Sequence, residues 1–82
     1  MNKEEILLDL SHKLENKYGV PTGIFHELGY VLVKNVGIST NPINPQDIKD
    51  IIQETAERFG LKSGDLAYSV NNGDILVGFS SN

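Results

Sequence analysis

Apolar residues recur at spacings of three and four in two separate segments of the chain. An α-helix has 3.6 residues per turn, so this spacing gives each segment one apolar face. We therefore predict one helix from about residue 3 to 18 and another from about 45 to 59. The positions that define them are Ile6, Leu7, Leu10, Leu14 and Tyr18, and then Ile48, Ile51, Ile52, Thr55 and Phe59.

Capping residues support both helices. Asn44 is predicted as an N-cap, Pro45 suits the first helical position, and Asp47 places a negative charge in the first turn. Gly19 and Gly60 follow an aromatic residue and precede an aliphatic one. Glycine reaches the left-handed conformation that ends a helix, so we expect both helices to stop there.

After each helix the pattern becomes strand-like. Residues 66–70 and 74–79 flank Asn71, Asn72 and Gly73, which suit a tight hairpin turn. In the first half, residues 30–33 and Val36 are β-formers, but a hairpin is less clear. An alternative makes Thr22 an N-cap and residues 24–28 a short helical turn ending at Gly29, followed by one strand over residues 30–38.

The two halves of the chain resemble each other. At an ungapped offset of 41 residues, seven pairs are identical, where random pairing would give roughly two or three. We interpret residues 1–41 and 42–82 as internal repeats within one domain. The identical pairs are Asp9/Asp50, Gly19/Gly60, Gly23/Gly64, Val36/Val77, Gly37/Gly78, Ser39/Ser80 and Asn41/Asn82.

Two tandem α-β-β repeats predict an α+β fold. Each helix would cover part of a shared four-stranded antiparallel sheet, with both helices on one face. With a right-handed crossover in the middle, the arrangement can be a circular permutation of the ferredoxin-like plait.

Composition narrows the function. Seven basic against 11 acidic residues give a net charge of −4, which disfavours binding to nucleic acid. The longest apolar stretch, residues 30–33, is far shorter than a membrane span, and the first residues lack a signal-peptide pattern. There is no cysteine. We expect a soluble cytoplasmic protein that uses no cofactor, and, since no catalytic constellation is visible, one that is not an enzyme.

Two repeated loops with the pattern Gly-x-x-Ser/Thr-Gly are candidates for binding an anion such as a nucleotide. Their backbone N–H groups could face one shared ligand across a pseudo-twofold axis. The competing interpretation, which we favour, is that the same residues only end the helices and bend the chain into the strands. The candidate residues are Gly19, Thr22, Gly23, Gly60, Lys62, Ser63 and Gly64.

Other polar residues suggest weaker hypotheses. His12 with Glu15, or His26 beside Glu27, would supply only two ligands, too few for a metal site, so we expect surface histidines. An acidic stripe on the second helix could imitate a phosphate backbone, although a solvated helix face with a pair between Glu54 and Arg58 is the commoner arrangement. The stripe comprises Asp47, Asp50, Glu54 and Glu57.

The strands carry more apolar residues than one face needs. If Leu32, Val36 and Ile38 face the helices, alternation places Val31 and Val33 on the opposite face. Scattered exposed valines are common on protein surfaces, but we favour self-association, as a homodimer packed sheet to sheet or extended across an edge strand. We therefore predict a small binding or regulatory protein that acts through protein–protein contact and forms a homodimer. The alternatives are a protein that senses or sequesters an anionic small molecule through the two loops, and an acidic mimic of nucleic acid.

Overall fold

The computed structural model describes residues 2–34 and 43–80. Along the chain these residues form α1 (Lys3–Tyr18), β1 (Thr22–Phe25), β2 (Tyr30–Val33), α2 (Pro45–Phe59), β3 (Leu66–Asn71) and β4 (Asp74–Phe79). The strands make one antiparallel sheet in the order β1-β2-β4-β3. The predicted α+β class is confirmed. Val36 and Ile38, part of the prediction about strand faces, lie outside the described residues.

Both predicted helices are confirmed, together with their caps. Asn44 accepts a hydrogen bond from the Gln46 amide at 3.0 Å, and Pro45 begins α2. Gly19 and Gly60 both end their helices with a φ of 69°. The sequence encodes these helices locally, because both the apolar spacing and the capping groups lie within the segments themselves.

The two hairpins differ in their turns. Asn72 and Gly73 join β3 to β4 with positive φ values of 53° and 84°, as a two-residue type I′ turn requires. Four residues join β1 to β2, closed by a hydrogen bond from the Gly29 amide to the Phe25 carbonyl at 2.8 Å. Since β1 includes Ile24 and Phe25, the alternative helical turn at 24–28 is wrong.

The first hairpin lies earlier in the chain than the ungapped repeat implies. β1 begins at Thr22 and β3 at Leu66, which are 44 residues apart, as are Tyr30 and Asp74 at the starts of β2 and β4. The helices keep the offset of 41, because both end at their matched glycines. The loop from helix to strand is therefore three residues shorter in the first half.

One core joins the helices to the sheet. Paired residues of β2 and β4 lie on the same face of the sheet. α1 packs on this face, and α2 packs beside α1 and against β3, so the buried residues form one cluster. The two helices run antiparallel beside each other, since Lys17 lies near Asp47 and Arg58 near Asp9. The core comprises Ile6, Leu7, Leu10, Leu14, Val31, Val33, Ile48, Ile51, Leu66, Ile75 and Val77.

Candidate functional site

In the first Gly-x-x-Thr-Gly loop, this chain's own carboxylate occupies the position expected for an anion. The Thr22 amide and hydroxyl both donate to the Glu15 carboxylate at 3.0 Å, and the Ser11 hydroxyl also contacts the Thr22 hydroxyl. Gly19 is the residue that ends α1, and Gly23 lies within β1. An external anion would have to compete with Glu15 for these donors.

The second loop is arranged in a similar way. The Lys62 amide donates to the Asp65 carboxylate at 2.8 Å. Gly64, with a φ of 93°, bends the chain before β3, and Ser63 is exposed. Gly60 ends α2. The helix-ending and chain-bending roles that we favoured for the glycines of this loop are therefore present.

The sheet topology separates the two loops. The first loop leads into β1 and the second into β3, and these are the opposite edge strands. Three successive antiparallel pairings make β1 and β3 run in opposite directions, so their starting ends lie at opposite ends of the sheet. The expected arrangement of both loops around one shared ligand is therefore wrong. Binding of an anion by a single loop stays a prediction.

The second loop borders a groove of about 630 Å³ between α2 and β3. Its apolar lining comes from both elements and the segment between them, and its charged groups are Lys49, Glu57 and Lys62. Three other concave features of the described residues are smaller, at about 210 to 290 Å³. The apolar lining consists of Ile52, Ala56, Leu61, Leu66, Ala67 and Tyr68.

The acidic stripe on α2 is partly neutralised by α1. Asp47 lies 3.6 Å from the Lys17 ammonium, and Glu54 lies 3.9 Å from that of Lys13. Asp50 accepts a hydrogen bond from the Gln46 side chain at 2.9 Å, and Glu57 faces the groove. The four carboxylates thus do not form a uniform array of exposed charge, which weakens the comparison with a phosphate backbone.

Arg58 also differs from expectation. Its guanidinium donates to the Asp9 carboxylate of α1 at 2.5 Å rather than pairing with Glu54 on its own helix. Asp9 also contacts the Lys13 ammonium at 3.1 Å and accepts from the Thr55 hydroxyl at 3.2 Å. This network fixes the two helices against each other, so Asp9 serves the fold.

Val31 and Val33 do not lie on the open face of the sheet, contrary to prediction. Both are completely buried under the helices. The reason is register: Val31 pairs with Val77 and Val33 with Ile75, and paired residues share a face. The ungapped offset gave the wrong face because the true strand offset differs by three residues, an odd number, and an odd shift exchanges the two faces of a strand.

The face turned away from the helices carries a different apolar group, and we call it the open face. Leu32 and Leu76 are directly paired there, and the Phe25 and Tyr30 rings lie beside them with centroids 4.9 Å apart. Phe25 is 41% exposed. Within the described ranges no helix or strand packs over this face, because α1 and α2 lie on the other side. Because the ungapped repeat assigns Leu32 to the core, the sequence does not predict this group.

Gly78 lets the strands approach closely on the open face. A methyl group at this position would overlap the Gly29 carbonyl oxygen and come within 2.6 Å of the Tyr30 β-carbon. Glycine at this position therefore lets β4 lie close against the backbone of Gly29 and Tyr30.

Tyr18 is an unusual polar group at the edge of the core. Its hydroxyl is buried and makes no hydrogen bond to the described residues. Burial raises the pKa of the Tyr18 phenol above its usual value, and the nearby Asp47 carboxylate raises that pKa further. The phenol is therefore held in its protonated, neutral form.

The histidines are both exposed, and within residues 2–34 and 43–80 no cluster of three or more His, Cys, Asp or Glu side chains could hold a metal ion. Neither described helix is long and apolar enough to cross a membrane. Comparison with known proteins finds no matching family model, no matching curated protein and no matching solved structure.

Proposed function

We propose that this protein is a small cytoplasmic binding or regulatory protein that acts through protein–protein contact, and that it works as a homodimer through its open face. The observation that carries the proposal is the apolar group formed by Phe25, Tyr30, Leu32 and Leu76. An antiparallel sheet that faces water normally carries polar residues on that side. An apolar patch in this position is typical of a contact surface.

A second copy of this chain suits the open face because that face carries little charge. Asp74, at one end of β4, is the only charged residue in the four strands. The other carboxylates lie on the helices and loops, so two open faces can meet without opposing most of the charge of −4 that each copy carries. Contact by the same patch on both copies is also the usual geometry of a twofold dimer.

Sedimentation equilibrium tests the homodimer. At tens of micromolar we expect the unaltered protein to sediment as a dimer and the Leu76→Lys variant as a monomer. The dimer interface of the variant would bury an unpaired ammonium, which costs roughly 3 to 5 kcal/mol. Leu8→Lys is the matched control, because Leu8 is a 48% exposed leucine on α1. It should remain dimeric. A monomeric unaltered protein, or a Leu76→Lys variant that stays dimeric, would refute the proposal.

The other hypotheses have less support. Glu15 and Asp65 already bind amide groups of the two loops, which disfavours a protein that sequesters anions through both. Pairing of Asp47 and Glu54 with lysines disfavours a nucleic-acid mimic.

We also infer that the chain arose by duplication and that its topology is a permuted ferredoxin-like plait. The matched ends of α1 and α2 support this inference. So does the offset of 44 between the hairpins, which makes Val31, Leu32 and Val33 the repeat equivalents of Ile75, Leu76 and Val77. The strand order β1-β2-β4-β3 is the order that such a permutation would have.

A further inference from the structure

β3 is an edge strand whose outer backbone groups are available for pairing. In an antiparallel ladder, residues that exchange hydrogen bonds alternate with residues that do not. The Ser80 amide donates to the Asp65 carbonyl, so residues 67, 69 and 71 are the next ones bonded to β4. The amides and carbonyls of Leu66, Tyr68 and Val70 therefore point away from the sheet.

The groove between α2 and β3 runs alongside this edge. Side chains of β3 alternate, and Leu66, Tyr68 and Val70 lie on the helix side, because their partners in β4 include the buried Val77 and Ile75. An added strand next to β3 would place every second side chain on that same side, towards the groove. An edge strand beside a helix, with an apolar groove between them, is the arrangement that proteins use to bind an extended peptide as an additional strand.

The charges of the groove are arranged unevenly. α2 runs antiparallel to β3, because only the short segment 60–65 joins them. Glu57 and Lys62 therefore line the groove towards the Leu66 end of β3, and Lys49, two turns earlier on α2, lines it towards the other end. Among the described residues no carboxylate is in ion-pair distance of the Lys49 ammonium. Lys49 therefore offers an ammonium group that a carboxylate of a bound segment could pair with.

We propose that β3 binds an extended segment of a partner protein as a fifth strand. The partner segment would place an apolar side chain over Ile52 and Ala56, and an acidic side chain beside Lys49. Backbone hydrogen bonds to Leu66, Tyr68 and Val70 would give affinity, and the groove would give specificity. This proposal does not depend on the homodimer, which uses the open face.

A partner peptide fits this edge better than a second copy of β3. Residues 66–71 contain no acidic side chain that could meet Lys49. A segment with alternating apolar residues and one carboxylate would fill the apolar groove and pair with Lys49.

Selection from a phage-displayed library of random peptides of about eight residues tests the proposal. We expect the enriched sequences to alternate apolar residues and to contain Asp or Glu. Binding of synthetic copies, followed by NMR, should shift the backbone amides of Leu66, Tyr68 and Val70 more than those of β1. Failure to enrich any sequence above the blank surface, or shifts centred on Leu32 and Leu76, would overturn the proposal.

Variants with matched controls identify the contacts. Val70→Pro removes one outward amide, and Val70→Thr keeps it. Lys49→Glu reverses the charge beside the groove, and Lys34→Glu makes the same change at an exposed lysine elsewhere. We expect the peptide Kd to rise about tenfold or more for Val70→Pro and Lys49→Glu, and to change less than about twofold for the two controls.

Two results with these variants would refute the proposal. The first is an unchanged Kd for both Val70→Pro and Lys49→Glu. The second is a second copy as the occupant of this edge, seen as a dimer that Val70→Pro converts to monomer while Leu76→Lys does not. Were Val70→Pro to lose its fold, Lys49→Glu and the amide shifts of the unaltered protein would still decide between these outcomes.

Discussion

The two helices of this protein are similar in length, at 16 and 15 residues, and each ends at a glycine, but they cover the sheet differently. α1 contacts β1, β2 and β4, whereas α2 contacts β3 at the edge. α1 buries five side chains and α2 buries three. α1 therefore closes the core, and α2 leaves space beside β3 that becomes the groove. Similar helices can thus close the core in one half of a chain and border an open groove in the other.

Matched positions in the two helices show where the difference lies. Leu14 is completely buried among apolar residues, and its counterpart 41 residues later is the buried Thr55. Tyr18 carries a buried hydroxyl without a hydrogen-bond partner in the described chain, and its counterpart is Phe59. Exchanging such positions tests how far the helices differ in their roles.

The largest effect is expected for Leu14→Thr, which gives α1 the residue of α2. We expect a loss of about 3 kcal/mol in the free energy of unfolding, because a fully apolar site loses buried area and gains a hydroxyl. Urea unfolding measures this change. The control Leu8→Thr, at an exposed position on α1, should lose less than about 1 kcal/mol. Equal losses at the two positions would contradict the packing described for α1.

The helix-ending glycines should behave alike. Gly19→Ala and Gly60→Ala should each destabilise the protein by about 1 to 2 kcal/mol, since both residues have a φ of 69° with open space around the α-carbon. Gly23→Ala serves as the control, because the φ of Gly23 is ordinary and a methyl group there would make normal contact with the Phe25 ring. A difference of more than about 1 kcal/mol between Gly19→Ala and Gly60→Ala would show that the two helix ends are not equivalent.

Thr55→Val should have a smaller effect, about 1 kcal/mol, because the hydroxyl links Asp9 and Lys13 at 3.2 Å each. Asp9 and Lys13 remain paired with each other at 3.1 Å when that hydroxyl is absent, which limits the loss. Thr55→Ser keeps the hydroxyl and isolates the contribution of the methyl group. An increase in the stability of Thr55→Val would mean that the hydrogen bonds of the Thr55 hydroxyl do not offset the cost of burying it.

Tyr18→Phe makes the two helices alike at their last residue, and we expect it to be neutral or stabilising by up to about 1 kcal/mol, because it removes an unpartnered hydroxyl. The pKa of Tyr18 is raised in the folded protein, so folding favours the protonated phenol. This contribution is complete below the unfolded pKa of about 10 and decreases as the pH rises above it. Urea unfolding between pH 8 and about 11 should show a steeper loss for the unaltered protein than for Tyr18→Phe. Parallel pH profiles would contradict the raised pKa.

The sequence predicted those elements whose signals are local. Both helices, their caps and the turn at Asn72 and Gly73 depend on residues within a few positions of each other. The faces of β2 depend on its register with β4, and this register follows from a three-residue difference in loop length that an ungapped comparison hides. Leu32 was therefore assigned to the wrong face together with Val31 and Val33.

The groove could not be predicted because it arises from the position of α2 over an edge strand. The sequence pattern predicts anion binding, not a groove, for Lys62, Ser63 and Gly64. These residues line the groove together with residues of α2 that have the pattern of an ordinary helix surface. A concave site formed by two distant segments has no local pattern in the chain.

The most direct test of the account is an NMR measurement of contacts between copies. A sample that mixes isotope-labelled and unlabelled protein reports only those nuclear Overhauser effects that connect two molecules. We predict such effects between the methyl groups of Leu32 and Leu76 in one copy and the Phe25 and Tyr30 rings of another. Intermolecular effects confined to β3 or the helices, or none at concentrations of about a millimolar, where even weak dimers form, would contradict the proposed dimer.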